Sequence, residues 1–126
     1  MKYLLDTNAL LYVFSAPSKL SARARRIVRG EKDLVVSVVS FWEIAIKQSI
    51  GKLKFNMTIP ELDALCSERD IQILGITSDS IERIKGLPQI HGDPFDRLLI
   101  AQAQMENMII VTCDRTMPQY PVQTIW

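Results

Sequence analysis

Short apolar runs rich in β-branched residues alternate along this chain with stretches of helical period, and that alternation restricts it to few architectures. Residues 2–5, 34–39 (LVVSVV), 71–76 (IQILGI) and 108–112 (MIIVT) read as strands buried on both faces, the mark of a parallel sheet. Helical patterns lie between them at 9–14, 22–30, 41–51, 61–69, 78–85 and 95–107. Parallel neighbours can be joined only by long connections, so the pattern predicts an α/β fold with a mostly parallel sheet and right-handed crossovers. With 126 residues and no internal repeat or linker, residues 1–126 are expected to share one core and form a single domain.

Composition narrows the chemistry. A hydrophobic content of 48% against 23% charged residues excludes a disordered or low-complexity chain. The start, MKYLL followed by ALLYVFSA, imitates a signal peptide, but Asp6 and Asn8 interrupt it. No apolar run approaches the roughly eighteen residues of a membrane span, so a soluble chain beginning at Met1 is expected. Cys66 and Cys113 have no paired spacing, which argues against a zinc motif or a disulfide framework and for a reducing, cytoplasmic setting. A single histidine, His91, excludes any site needing two imidazoles, so carboxylates must carry most of the chemistry. The formal net charge of +1 conceals an asymmetry, with ten Lys/Arg against four Asp/Glu in residues 1–60 and five against ten in residues 61–126. Such a split suits a polyanion on one face and cations or a basic partner on another, or only solvated helix faces that differ.

In a parallel sheet of this kind, ligands bind beyond the carboxyl ends of the strands, and acids fall there. Asp6 follows the first run, Asp114 follows the last, and Glu43 lies in the first turn of the helix expected after LVVSVV. Asp93 and Asp96 open the helix that leads into the last run. Each acid also has a structural role available to it. Ser40 and Glu43 spell S-x-x-E, a capping box in which Glu43 reaches back to the Ser40 backbone. Asp93 before Pro94 reads as an N-cap, with Asp96 favoured by the helix dipole. Asp6 and Asp114 read as turn residues accepting local backbone bonds. Taken one at a time, caps and solvated acids are commoner than ligands.

Taken together the acids point further. Carboxylates gathered at one sheet edge repel one another unless a cation compensates them. Oxygen ligands with no histidine or thiolate partner suit Mg²⁺ or Mn²⁺ better than Zn²⁺. Such ions usually complete their coordination with substrate phosphates, so phosphoryl chemistry with an activated water is the expected reaction class.

The segments LLDTNALLY (4–12), SVVSFWEIAIK (37–47), HGDPFDRLLIAQA (91–103) and IIVTCDRTMPQYPVQTIW (109–126) resemble the PIN-domain nucleases, in particular the VapC-like toxins of bacterial toxin–antitoxin pairs. Four motifs occur in the family's order, and the resemblance spans the whole chain. It implies a three-layer α/β/α sandwich. By position it implies that Asp6, Glu43, Asp96 and Asp114 are the catalytic, metal-binding acids. Thr7, Asn8 and Thr112 match supporting polar residues, which orient ligands by hydrogen bonding. Arg97 matches a position that is basic in the DPFDR subgroup, where it could hold a phosphate or pair with a neighbouring carboxylate. Asp93 is shared only with that subgroup and is read as an N-cap first and a supporting site residue second. The implied activity is Mg²⁺- or Mn²⁺-dependent hydrolysis of RNA phosphodiester bonds. The implied assembly is a homodimer, held inactive by a cognate antitoxin whose tail covers the acidic site.

Other features are more open. Arg23, Arg25, Arg26 and Arg29, in the basic stretch 19–32, could track a phosphate backbone beside the acids or simply form a solvated helix face. Phe41 and Trp42 could stack on a base but suit core or dimer packing better. Glu43 and Lys47, four apart, are placed to pair. His91, before the Gly92 turn, would be a lone general-base candidate but reads better as a loop residue, and Cys113 reads as a core residue. Two other functions compete with the nuclease. A receiver-type phosphorylation switch needs a lysine near a late strand, and none follows Lys85. An inactive interaction domain on the same scaffold has no reason to keep all four acids.

Overall fold

Each expected apolar run forms a strand, and each strand is shorter than its run. The computed structural model describes residues 1–30 and 33–126. Its strands are β1 (Tyr3–Leu5), β2 (Leu34–Ser37), β3 (Gln72–Leu74), β4 (Ile109–Val111) and β5 (Thr124–Ile125). All neighbouring pairs are parallel, in the order β3-β2-β1-β4-β5. The helices are α1 (Thr7–Ser15), α2 (Ala22–Gly30), α3 (Val38–Ser49), α4 (Ile59–Glu68), α5 (Ser78–Ile84) and α6 (Pro94–Glu106). Short 3-10 turns lie at Pro17–Lys19 and Met117–Gln119. Glu31 and Lys32, the end of the basic stretch, lie outside the described residues.

The three-layer sandwich follows from the two-residue period of the strands. Leu5, Val36 and Val111 face one core, which they share with Ala9 and Leu10 of α1, Ala24 of α2, and Leu62 and Cys66 of α4. Leu4, Val35 and Ile110, one position earlier in each strand, face a second core filled by Leu99, Ile100 and Ala103 of α6. Both faces of the central strands are therefore dry, as their uninterrupted apolar sequence requires.

Two local expectations are corrected. LVVSVV does not continue as a strand to Val39. Ser37 ends β2, and its hydroxyl accepts the Val39 N–H at 3.1 Å, so α3 begins at Val38. A run apolar on all sides serves equally as buried strand or buried helix start, and Ser37 is its only punctuation. It follows that Ser40 and Glu43 make no capping box, since Ser40 already lies inside the helix. The capping boxes form instead at Thr58/Glu61 of α4 and Thr77/Ser80 of α5. The fifth strand was not expected, because two residues carry no readable period; it is held by register with Ile110 and Val111 of β4.

This topology positions the site. From β1 the chain winds outward through β2 to β3, and then returns to the other side of β1 for β4 and β5. The crevice opens at that reversal, above the carboxyl ends of β1 and β4.

Candidate active site

The crevice above β1 and β4 is a cleft of about 210 Å³ lined by Asp6, Glu43, Asp96 and Asp114, together with Thr7, Asn8 and Asp93. Lys47 and His91 complete its wall. All four acids expected from sequence meet there, although 108 positions separate the first from the last.

Asp6 follows β1 directly and caps α1, its Oδ1 accepting the Ala9 N–H at 2.8 Å. It is only 5% exposed. Burial raises its pKa to about 6, with smaller contributions from the charges of Asp114 and Glu43, against the opposing pull of the Thr112 hydroxyl and the Ala9 N–H. Glu43 faces inward from α3. Its Oε1 accepts the Thr7 hydroxyl at 2.7 Å, and its Oε2 meets Lys47 Nζ at 2.8 Å across one helical turn. Thr7 Oγ1 also lies 2.9 Å from Ser40 Oγ, so α1 and α3 are joined through buried hydroxyls directly below the acid. Thr112, buried at the end of β4, supports two acids. Its hydroxyl bonds Asp6, and its Oγ1 accepts the Asp114 N–H at 3.0 Å.

Asp93 is the N-cap of α6, its Oδ1 accepting the N–H groups of Phe95 at 2.8 Å and Asp96 at 3.3 Å. It lines the cleft as well, so its structural and supporting roles coexist. Asp96, in the first turn of α6, has its pKa pushed up to about 7, first by burial and then by the charge of Asp93; Glu43 and Asp6 add to this and His91 opposes it. Asp114 behaves oppositely. Burial pushes it up, but the N–H groups of Thr116 (2.6 Å) and Met117 (3.2 Å) on Oδ1, together with His91, hold its carboxyl below the usual range.

His91, set aside from sequence as a loop residue, lines the site. Its Nε2 lies 2.9 Å from Asp96 Oδ2 and 3.1 Å from Asp114 Oδ2, and its Nδ1 accepts the Asp93 N–H at 3.2 Å. A lone histidine beside a glycine gives no periodic signal; its position at the head of HGDPFDR was the available clue. Arg97, read as holding a phosphate or pairing with a neighbouring carboxylate, does not line the cleft. It is 8% exposed and donates to the Pro88 carbonyl (2.7 Å), the Ile84 carbonyl (3.2 Å) and Tyr120 Oη (3.1 Å), so its guanidinium is spent on the scaffold outside the cleft. Cys113 is exposed rather than in the core, because β4 ends at Val111 and the strand alternation ends with it. Trp42 is 56% exposed and meets Phe95 edge-on at 5.1 Å, whereas Phe41 is buried. Arg25 and Arg29 line a separate pocket with Arg69, away from the acids.

The donors suit a hard divalent cation. The cleft presents carboxylate, hydroxyl and amide oxygens, and the raised pKa values of Asp6 and Asp96 record first the burial of these carboxylates and second the charges of the neighbouring acids. One carboxylate oxygen each from Asp96 and Asp114 lies within 4.8 Å of the other and of the His91 ring nitrogen, close enough to share an ion.

A parallel α/β/α sandwich carrying an acid cluster at its topological switch point defines a class of candidate phosphoryl-transfer folds. Within it, the PIN domain family model matches residues 3–123, and the chain belongs to the PIN domain family. Ribonuclease VapC22 of Mycobacterium tuberculosis is 29% identical, with 98% of this chain and 97% of that protein aligned. Among solved structures, VapBC2 from Rickettsia felis bound to a DNA fragment from its promoter superposes with a TM-score of 0.70 at 18% identity, over 99% of this chain and 98% of that one. A toxin–antitoxin complex from Klebsiella pneumoniae superposes with a TM-score of 0.66, also at 18% identity, over 99% and 97% of the two chains. At these identities the structural matches establish the fold.

Proposed function

We propose that the protein is an endoribonuclease that hydrolyses RNA phosphodiester bonds with Mg²⁺ or Mn²⁺, and that it is the toxin of a toxin–antitoxin pair acting in the cytoplasm. The observation that carries this reading is the convergence of Asp6, Glu43, Asp96 and Asp114 on one cleft, where two of them have raised pKa values. The relationship to a named ribonuclease supports RNA as substrate, and the likeness to toxin–antitoxin complexes supports an antitoxin partner.

The residues divide the work. Asp6, Asp96 and Asp114 would hold the cation; Glu43 joins them once Lys47 shares or yields its Oε2. A bound divalent ion supplies charge neutralisation at the scissile phosphate and lowers the pKa of an attacking water. Thr7 and Thr112 fix the rotamers of Glu43 and Asp6 by hydrogen bonds, which keeps the acids aimed into the cleft. Asn8 presents an exposed amide at the rim, suited to a phosphate or a bound water. Lys47, displaced from Glu43, would be free to meet the phosphate backbone.

Purified protein is expected to cleave single-stranded RNA with Mg²⁺ or Mn²⁺, and EDTA or Asp96→Asn should lower the rate by at least about a hundredfold, the scale of losing charge stabilisation in the transition state. Equal cleavage by Asp96→Asn protein would remove the assignment and point to a contaminating nuclease. Co-expression with the adjacent gene's product should suppress the activity.

A further inference from the structure

We propose that His91 is a built-in competitor of the divalent cation, its ring N–H occupying the carboxylate oxygens of Asp96 and Asp114 that a metal would need. The inference rests on the reading of the cleft as a cation site. On Asp114, Oδ1 already accepts two backbone N–H groups, from Thr116 and Met117. Oδ2 is therefore the oxygen left for an ion, and His91 Nε2 lies 3.1 Å from it. The same nitrogen lies 2.9 Å from Asp96 Oδ2. Because Nδ1 accepts the Asp93 N–H, Nε2 carries the ring hydrogen and donates; a nitrogen in that state cannot itself ligate. The ring thus stands between the two acids as a donor in the place of a cation.

The scaffold holds the ring there from behind. Tyr120 Oη, in a side chain 3% exposed, accepts the backbone N–H of His91 at 2.7 Å and of Ile90 at 3.2 Å. Arg97 Nη1 donates to the same oxygen at 3.1 Å. These anchors use the backbone of residue 91, so replacing its side chain leaves the loop tethered. They also give a purpose to the burial of Arg97, which fixes the height of His91 above the acids. Lys47 does for Glu43 what His91 does for Asp96 and Asp114, so the cleft carries two internal donors that a metal must displace.

Mn²⁺ binding to the full chain, followed by electron paramagnetic resonance and by calorimetry without RNA, tests the proposal. His91→Ala, and His91→Phe, which keeps a ring but no N–H, should each bind Mn²⁺ about tenfold more tightly than the native protein, the scale of one hydrogen bond to a charged group. His91→Gln, whose amide nitrogen can reach the place of Nε2, should return affinity toward the native value. Unchanged or weaker binding by both His91→Ala and His91→Phe overturns the competition and makes His91 a support for the ligands. Absence of Mn²⁺ binding in the native protein and all variants overturns the cation site on which the proposal stands. Melting temperatures in EDTA identify a variant that fails to fold, and the remaining one of the Ala and Phe pair then decides.

Discussion

Asp6 is both a cap and a site acid. Its carboxylate ends a buried strand, accepts an α1 N–H, and is only 5% exposed, so its charge is held at a desolvation cost. A pKa raised to about 6 means that the folded protein binds a proton more tightly there than the unfolded chain does. That stabilisation is complete below the ordinary value of 3.8 and is lost as pH rises through about 6. Asp96, raised to about 7, extends the window in the same direction. In chelator, stability should therefore fall as pH is raised from 4 toward 8, and Asp6→Asn should remove part of that fall. Asn caps as well as Asp, so the variant keeps α1 intact and should be more stable than native protein at pH 8 by up to about 3 kcal/mol, with no gain at pH 4. Urea denaturation at the two pH values measures this, and an equal effect at both would show that Asp6 carries no desolvation burden. At this scale Asp6, Asp96 and Asp114 were legible because each sits next to an element boundary, whereas Glu43 lies inside α3 and joined the set through the family resemblance. Their neighbours were not, because contacts such as Thr7 to Glu43 and His91 to Asp114 span 36 and 23 positions and follow no local rule.

Secondary structure was read from periodicity, and it failed where periodicity carries no information. LVVSVV is apolar on every side, so only the Ser37 hydroxyl separates β2 from α3, and the missed boundary turned Glu43 from a supposed capping partner into an inward-facing acid. β5 is two residues long and exists through its pairing with β4. The basic position in DPFDR gives the sharpest test between elements. Arg97 on α6 binds carbonyls at the end of α5 and in the following loop, together with Tyr120 after the 3-10 turn, and so ties three segments to one helix. Arg97→Met should cost about 2–4 kcal/mol in stability, because it leaves buried carbonyls without donors. Metal affinity should change more than a remote core substitution of equal cost would change it. A variant of native stability that had lost RNA affinity would restore the phosphate-clamp role.

On the scale of the whole molecule, the near-neutral charge resolves into regions. The acids of the cleft come from both halves of the chain, Asp6 and Glu43 from the first and Asp96 and Asp114 from the second. Arg25, Arg29 and Arg69 gather around a pocket of about 220 Å³ elsewhere, so the basic residues do not simply flank the acids. Beside the cleft, Trp42 and Ile46 of α3 and Ile50 at its C-cap are exposed at 56%, 37% and 58%, one apolar stripe at helical spacing. In the homodimer that the family resemblance implies, this stripe would meet its copy. Ile46→Asp should then shift the native protein from dimer to monomer in light scattering, with little change in the melting temperature of the monomer. A native protein that runs as a monomer at micromolar concentration would remove the dimer.

The sequence by itself determined the layers: apolar runs on both faces of short strands cannot be satisfied except by helices above and below a parallel sheet. It also placed acids at strand and helix ends, because those positions have local signatures. The tertiary structure decided which of those ends share a cleft, that Arg97 serves the scaffold, and that His91 stands between two acids. Those outcomes depend on strand order and on buried hydrogen bonds between distant segments, and the energy of such contacts exists only once the sheet has brought β1 and β4 side by side.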